Sequence, residues 1–365
     1  LSAIEKLAAA DPRMNREVDD FDADPFSIAC TNGLVDLRTG ALRDFEYGDF
    51  VTRNTNVRYD PTATMPASTA FLSEATQDDE GLIEYLQRAA GYTLTGLTNE
   101  QCFFIISGPT ASGKSTFVDA LLAITGSYGL STQADTFMYR RNQASAKNEL
   151  ARLAGMRCVT MSEIREGETF DEAIVKQITG GDRMSARFLY QDTFEYTPVM
   201  KLWIATNHDP AAREEAMMRR IKRILFPITV PAERRDPRLK ASLKDPDGGA
   251  VAVLAWAIEG AKKYIAESSL KEPDIVREAV TEYANENDTF SQFMRETIET
   301  VDLDEAVTIA DTYSAYRNWC KSNGEWPARR PVLTKRLKEL GYMIDNGHVY
   351  GARLKVIVVS DWSWS

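Results

Sequence analysis

Histidine is almost missing from this chain, with two in 365 residues, and cysteine is scarce. The four cysteines, Cys30, Cys102, Cys158 and Cys320, stand far apart with no C-x-x-C spacing. That excludes a dense disulfide scaffold and argues against a structural zinc site. The thiols read instead as free, buried groups of a reducing compartment. Long apolar runs are lacking too. None approaches the length of a membrane span, and no secretory leader is visible. The start at Leu1 rather than Met gives the expectation of a piece of a longer protein. Positive charge is also in deficit: 43 Lys and Arg against 54 Asp and Glu, a net charge of −11. A wholly acidic surface would argue against a polynucleotide partner, but the charge is uneven. Asp19, Asp20, Asp22 and Asp24 crowd the beginning. Arg329, Arg330, Lys335, Arg336, Lys338, Arg353 and Lys355 crowd the end. Any polynucleotide contact must therefore be local, in a lined channel or on one basic module.

What is present is organised around one stretch. Cys102, Phe103, Phe104, Ile105 and Ile106 form an unbroken apolar run, as a strand buried on both faces would. Gly108-Pro109-Thr110-Ala111-Ser112-Gly113-Lys114-Ser115-Thr116 follows with the spacing G-x-x-x-x-G-K-[ST]. Glycines allow the backbone to curl tightly and approach a phosphate closely. The loop amides then point inward and cradle β- and γ-phosphates. Lys114 would reach the same phosphates, and Ser115 would ligate magnesium. Phe117, Val118, Leu121, Leu122 and Ile124 continue as a helical apolar stripe. Strand, loop and helix stand in the order the motif requires, so ATP with Mg2+ is the expected ligand. The loop leaves the reaction open, since kinases, motors and switches all use it.

The rest of the chain divides around that centre. Before it, short strands are expected at 27–30, 34–37 and 41–43, with further strand candidates at 51–52 and 57–59. Helices are expected at 67–75 and 82–90, the second stopped by Gly91. Asp22-x-Asp24 reads as a solvated acidic loop rather than a metal dyad. After the loop, residues 157–163 read as a second buried strand ending in Glu163, a carboxylate placed to polarise an attacking water. The residue before it is Ser162, not a second acid, so magnesium would rest mainly on Ser115, the phosphates and waters. Glu166 is a weaker candidate base. A hairpin is expected over 183–197, turning at Gln191-Asp192; Lys176, Arg187 and Tyr190 there combine charge with an aromatic, as a phosphate backbone and stacked bases require. A third apolar strand, 202–206, ends at Asn207, whose amide can bond both water and γ-phosphate. Arg213, Arg219, Arg220, Lys222 and Arg223 cluster next, and a guanidinium is the usual group for stabilising transferring phosphoryl charge.

Residues 108–231 resemble the superfamily 3 helicases, a compact branch of AAA+ ring motors, and look most like the primase-helicases of phages, plasmids and poxviruses. The matching residues are Gly108 to Thr116, Ser162-Glu163, Gly180-Gly181-Asp182 with 186–190, 203–207 and Arg219-Arg220. The stretch 32–40 resembles the domain preceding that motor. The resemblance implies that Lys114 and Ser115 bind ATP and Mg2+, that Glu163 is the catalytic acid with a part in holding the metal, and that Asn207 is the sensor. Arg220 aligns best with the finger supplied to a neighbouring subunit, with Arg219 second. The 183–197 hairpin, with Arg183, Arg187, Tyr190, Gln191 and nearby Lys176, would point into a pore and track single-stranded DNA. Hexamers, 3′ to 5′ translocation and a cytoplasmic location, in a bacterial host cell if the chain is phage or plasmid encoded, are implied in the same way. Nothing here resembles a primase domain, so the chain is expected to be the motor half of a primase-helicase or a primase-less relative.

The C-terminal end adds a helix at 250–267, helix over 274–299 broken near 285–287, then helix, turn, helix and hairpin, the order of a winged helix. Its second helix carries Lys335, Arg336 and Lys338, as a helix reading origin duplex DNA would. The expected fold is α/β: a three-layer AAA+-type P-loop core at 96–235, an N-terminal α+β domain at 1–95, a helical extension at 236–285 and a winged-helix-like domain at 286–365. Two alternatives stay open: an ATP-controlled replication initiator, and a P-loop kinase.

Overall fold

In the computed structural model the described residues are 2–11, 16–140, 146–162, 164–188, 191–212, 214–323 and 327–355. They fall into two compact units, Leu1–Ala284 and Asn285–Ser365.

The first unit opens with an antiparallel meander of β1 (Ser27–Cys30), β2 (Gly33–Asp36) and β3 (Ala41–Arg43). Residues 51–52 and 57–59, expected as strands, are not. Their polar groups are met singly: Asn32 bonds the carbonyl and amide of Tyr59 through its side chain, so no ladder is needed there. The helix Glu80–Leu94 does not stop at Gly91. A Cβ at Gly91 would lie 1.9 Å from the amide nitrogen of Ala261 on the helix Gly249–Glu267. This glycine is thus a crossing point for two helices rather than a terminator.

Five strands then build one parallel sheet: β4 (Phe103–Ser107), β5 (Gly129–Thr132), β6 (Cys158–Ser162), β9 (Lys201–Thr206) and β10 (Ile221–Leu225), in the spatial order β10-β4-β9-β6-β5. Between β6 and β9 the chain makes a two-stranded antiparallel hairpin, β7 (Met184–Ala186) with β8 (Phe194–Tyr196), shorter than the 183–197 hairpin expected. Successive side chains of β4 alternate faces. Phe104 and Ile106 join Trp203, Ile224 and the helices Glu80–Leu94, Lys114–Thr125 and Gly249–Glu267. Phe103 and Ile105 join Val159, Met161, Leu202 and Ile204 in a second core on the other face. Phe104 stacks on Trp203 with centroids 4.1 Å apart.

Two buried cations tie the meander and the helix end to the amino edge of this sheet. Arg157 donates to the carbonyls of Ser27 (2.6 Å), Leu94 (2.8 Å) and Asp24 (3.1 Å). Lys201 donates to those of Thr95 (2.5 Å), Val199 (3.0 Å) and Leu97 (3.2 Å), with its ammonium over the ring of Tyr92. All four cysteines are free and buried, and burial pushes the thiols of Cys102 and Cys158 up to about 12.

The second unit has its own core of Phe290, Phe293, Tyr316, Leu333, Leu337 and Val349. Helices Thr289–Thr297, Ile309–Ser322 and Arg330–Glu339 pack with β11 (Ile298–Thr300), β12 (Ala306–Thr308), β13 (Met343–Asp345), β14 (His348–Tyr350) and β15 (Ala352–Leu354). Its sheets run β12-β14-β13 and β11-β15. Asp288 caps the first helix by accepting from the Ser291 amide at 3.1 Å, which explains the break read from the sequence near 285–287.

Candidate nucleotide site

Because the sheet is parallel, its strands end together at one edge, where Ser107 pairs with Thr206 and Ser162 with Ala205. Ligands of open α/β sheets gather at that edge. From Ser107 the chain turns through Gly108 (φ +149°) and Gly113 (φ +93°) into the helix Lys114–Thr125. A Cβ at Gly108 would lie 2.1 Å from the carbonyl oxygen of Phe226. The segment after β10 braces the loop from outside: Val230 N donates to Ala111 O (3.0 Å) and Thr229 Oγ1 to Thr110 O (3.1 Å).

Lys114 is buried, and burial draws its pKa down. Its Nζ donates to the carbonyls of Gly108 and Pro109, both at 2.7 Å, and to Ser112 Oγ at 3.2 Å. The ammonium therefore sits in the bend of the loop. Ser115 is exposed beside it, and the first-turn amides have no partners inside their own helix. Amides, one ammonium and one hydroxyl around a bend are the donor set for a polyphosphate with a hydrated Mg2+. Among the described residues no group of three or more His, Cys, Asp or Glu could hold a metal.

Opposite the loop the cleft is lined by Ser131 of β5, Thr160 to Ser162 of β6, and Ala205 to His208 at the end of β9. Asn207 is exposed there; the turn that presents it is held by Thr206, whose Oγ1 donates to His208 O (2.6 Å) and accepts from His208 N (3.0 Å). Glu163 lies outside the described residues. Glu166 is exposed in a turn and does not line the cleft. Two lining residues, Asp119 and Lys240, were not singled out from the sequence. Asp119 is four residues past Ser115 on an amphipathic helix, which was a readable signal; Lys240 carried none.

The structure does not bring the arginines to this cleft. Arg219 and Arg220 precede β10, at the amino edge of the sheet. The five residues of β10 set them about 16 Å from the level of the loop. Arg219 is exposed. Arg220 is half-buried and donates to Thr179 Oγ1 (3.1 Å) and Ala216 O (2.8 Å). Lys222 and Arg223 are structural: Lys222 pairs with Glu272 (2.5 Å) and Arg223 with Asp209 (2.8 Å), which also accepts from Ser107 Oγ (2.5 Å). Arg213 lies outside the described residues.

Of the residues expected to touch DNA, Lys176 pairs with Glu214 (2.5 Å) and Arg183 with Glu195 (3.5 Å). Arg187 and Gln191 are exposed near the hairpin tip, where Phe188 stacks on Phe194 at 5.7 Å; Tyr190 lies outside the described residues. In the second unit Lys335, Arg336 and Lys338 are exposed on one helix, Lys335 pairing with Glu339 at 3.5 Å. No helix among the described residues is long and apolar enough to cross a membrane.

Residues 1–77 match a family model described as D5 N terminal like, and residues 105–220 match a family of unknown function, DUF5906. The chain is similar to "Putative helicase L207/L206" of Acanthamoeba polyphaga mimivirus, at 26% identity over 86% of this chain and 35% of that protein. It is similar to "Putative helicase 022R" of Frog virus 3 (isolate Goorha), at 25% identity over 86% of this chain and 40% of that protein. The chain thus spans well under half the length of these relatives. In fold it resembles the solved NrS-1 C terminal region, with a TM-score of 0.55, 11% identity, and coverage of 80% of this chain and 66% of that one. A second structure of that region, residues 305–718, gives a TM-score of 0.52 at 12% identity, covering 96% of this chain and 89% of that one.

Proposed function

We propose that this chain is the ATP-hydrolysing motor of a D5-like DNA helicase, with an AAA+ core of superfamily 3 working in a ring. The observation that carries the reading is the separation of parts. The loop, Lys114, Ser115 and Asn207 share the carboxyl edge of one sheet, while Arg219 and Arg220 stand at its amino edge, too far to serve the same site. Such an arrangement is useful when one subunit's arginine completes its neighbour's site. The helicase names of the viral relatives point the same way.

In this reading residues 96–235 are the motor, 1–95 the domain before it, 236–285 a helical extension and 286–365 a winged-helix-like module. Magnesium, when bound, supplies charge neutralisation across the phosphates. Lys114 would neutralise phosphate oxygens, Ser115 would hold the ion, Glu163 would orient and deprotonate the water, and Asn207 would bond water and γ-phosphate together. Arg187 and Gln191, with Tyr190, would meet a single strand at the hairpin tip. Arg336, Lys338 and Lys335 form the basic face for duplex DNA. A hexamer with 3′ to 5′ polarity follows from the family resemblance.

The test is ATP hydrolysis with and without single-stranded DNA. Stimulation by DNA supports a motor. Hydrolysis that ignores single-stranded DNA while residues 300–365 bind duplex DNA would move the reading to an initiator.

A further inference from the structure

Strand β6 ends in Ser162, which offers the cleft a hydroxyl and no charge. A divalent ion held by one serine and phosphates needs its waters oriented, and a carboxylate is the usual group for that. Among the described residues lining the cleft, Asp119 is the sole carboxylate. It stands at i+4 from Ser115 on the same helix, so the two side chains share a face with Cβ atoms about 5–6 Å apart. Helical side chains lean toward the N-terminus, which directs Asp119 back toward Ser115. That spacing leaves room for one water between an ion at Ser115 and the Asp119 carboxylate. Asp119 Oδ2 is held at 2.6 Å by the ammonium of Lys240, which reaches across from the helix Leu239–Leu243. Both side chains are substantially exposed, so the pair is weak and readily rearranged by a stronger charge.

We infer that Asp119 is a positioning residue for the divalent cation: its carboxylate takes a hydrogen bond from a water of the ion held at Ser115, as a stronger acceptor than the uncharged hydroxyl of Ser162. Lys240 holds that carboxylate at the cleft wall until the ion's water competes for it. The inference rests on the proposed nucleotide site and adds a residue to it.

Mn2+ is the probe, titrated by electron paramagnetic resonance in the presence of the non-hydrolysable β,γ-imido analogue of ATP, with analogue binding in EDTA measured alongside. Asp119→Asn is expected to weaken Mn2+ about 10-fold, the lower end for an outer-shell partner, while analogue binding in EDTA stays unchanged. Lys240→Met is expected to keep Mn2+ affinity or tighten it, because the carboxylate loses a competitor. Native Mn2+ affinity in Asp119→Asn overturns the inference and leaves the nucleotide site standing. Equal weakening in both variants also overturns it, since the pair would then only shape the cleft. Absence of any analogue-dependent Mn2+ site in the native chain overturns inference and nucleotide site together.

Discussion

Arg220 donates through Nε to Thr179 Oγ1 at 3.1 Å, while Arg219 beside it is exposed and turned to solvent. The family resemblance puts Arg220 first as the finger, but placement favours Arg219. Arg219→Ala is expected to cut hydrolysis roughly 10³-fold with an unchanged urea midpoint. Arg220→Ala, which also loses a bond to Ala216 O, is expected to lose about 1 kcal/mol of stability. Full activity in Arg219→Ala, with Arg220→Ala inactive at full stability, would return the finger to Arg220.

Lys114 carries the loop's one ammonium, and its removal strips the carbonyls of Gly108 and Pro109 of their donor. Lys114→Ala is expected to reduce hydrolysis on the order of 10²-fold or more, as loss of one aimed donor does. Titration calorimetry with the imido analogue should show the loss in binding as well. Binding and turnover at native levels would remove the phosphate site from this loop.

Gly260 meets the other helix as closely as Gly91 does. A Cβ on it would lie 1.8 Å from the carbonyl oxygen of Gln87. Backbone cannot yield as a flexible side chain does, so Gly260→Ala is expected to cost roughly 1–3 kcal/mol, the usual range for overpacking. Chemical denaturation measures it. A neutral substitution would mean that the helices can separate without penalty.

Burial, helped by the charge of Arg157, draws Lys201 well below the ordinary lysine value of 10.5. Between that lowered pKa and 10.5 the unfolded chain binds more protons than the folded one, so stability rises with pH through this window. Below the window both states are protonated, and above it neither is, so the contribution is flat at either side. The stability difference between the native chain and Lys201→Met should therefore move in favour of the native chain as pH climbs toward 10.5. A difference independent of pH would contradict the lowered pKa.

The loop was legible from its glycine and lysine spacing, and the strands β4, β6 and β9 from mostly apolar runs ending in a polar residue, broken in β6 only by Thr160, the mark of a strand buried on both faces. The break before Thr289 was legible from Asn and Asp residues. Gly91 was misread because a glycine that ends a helix and one that admits a neighbour look alike along the chain. Strands β11, β12 and β15 were missed: at three residues each they show no period, and their partners lie far off in sequence. Lys240 could not be seen as part of the cleft, since only the return of the chain past β10 brings it to Asp119.

The most direct measurement is complementation between two inactive subunits. One carries Lys114→Ala; the other carries Arg219→Ala with Arg220→Ala. If each site takes its loop from one subunit and its arginine from the next, random mixing in a ring restores about a quarter of the native sites. DNA-stimulated hydrolysis should then return in the mixture though neither partner has it alone. A mixture as inactive as its components, when both are shown to co-assemble, would contradict a site shared between subunits and with it the ring motor.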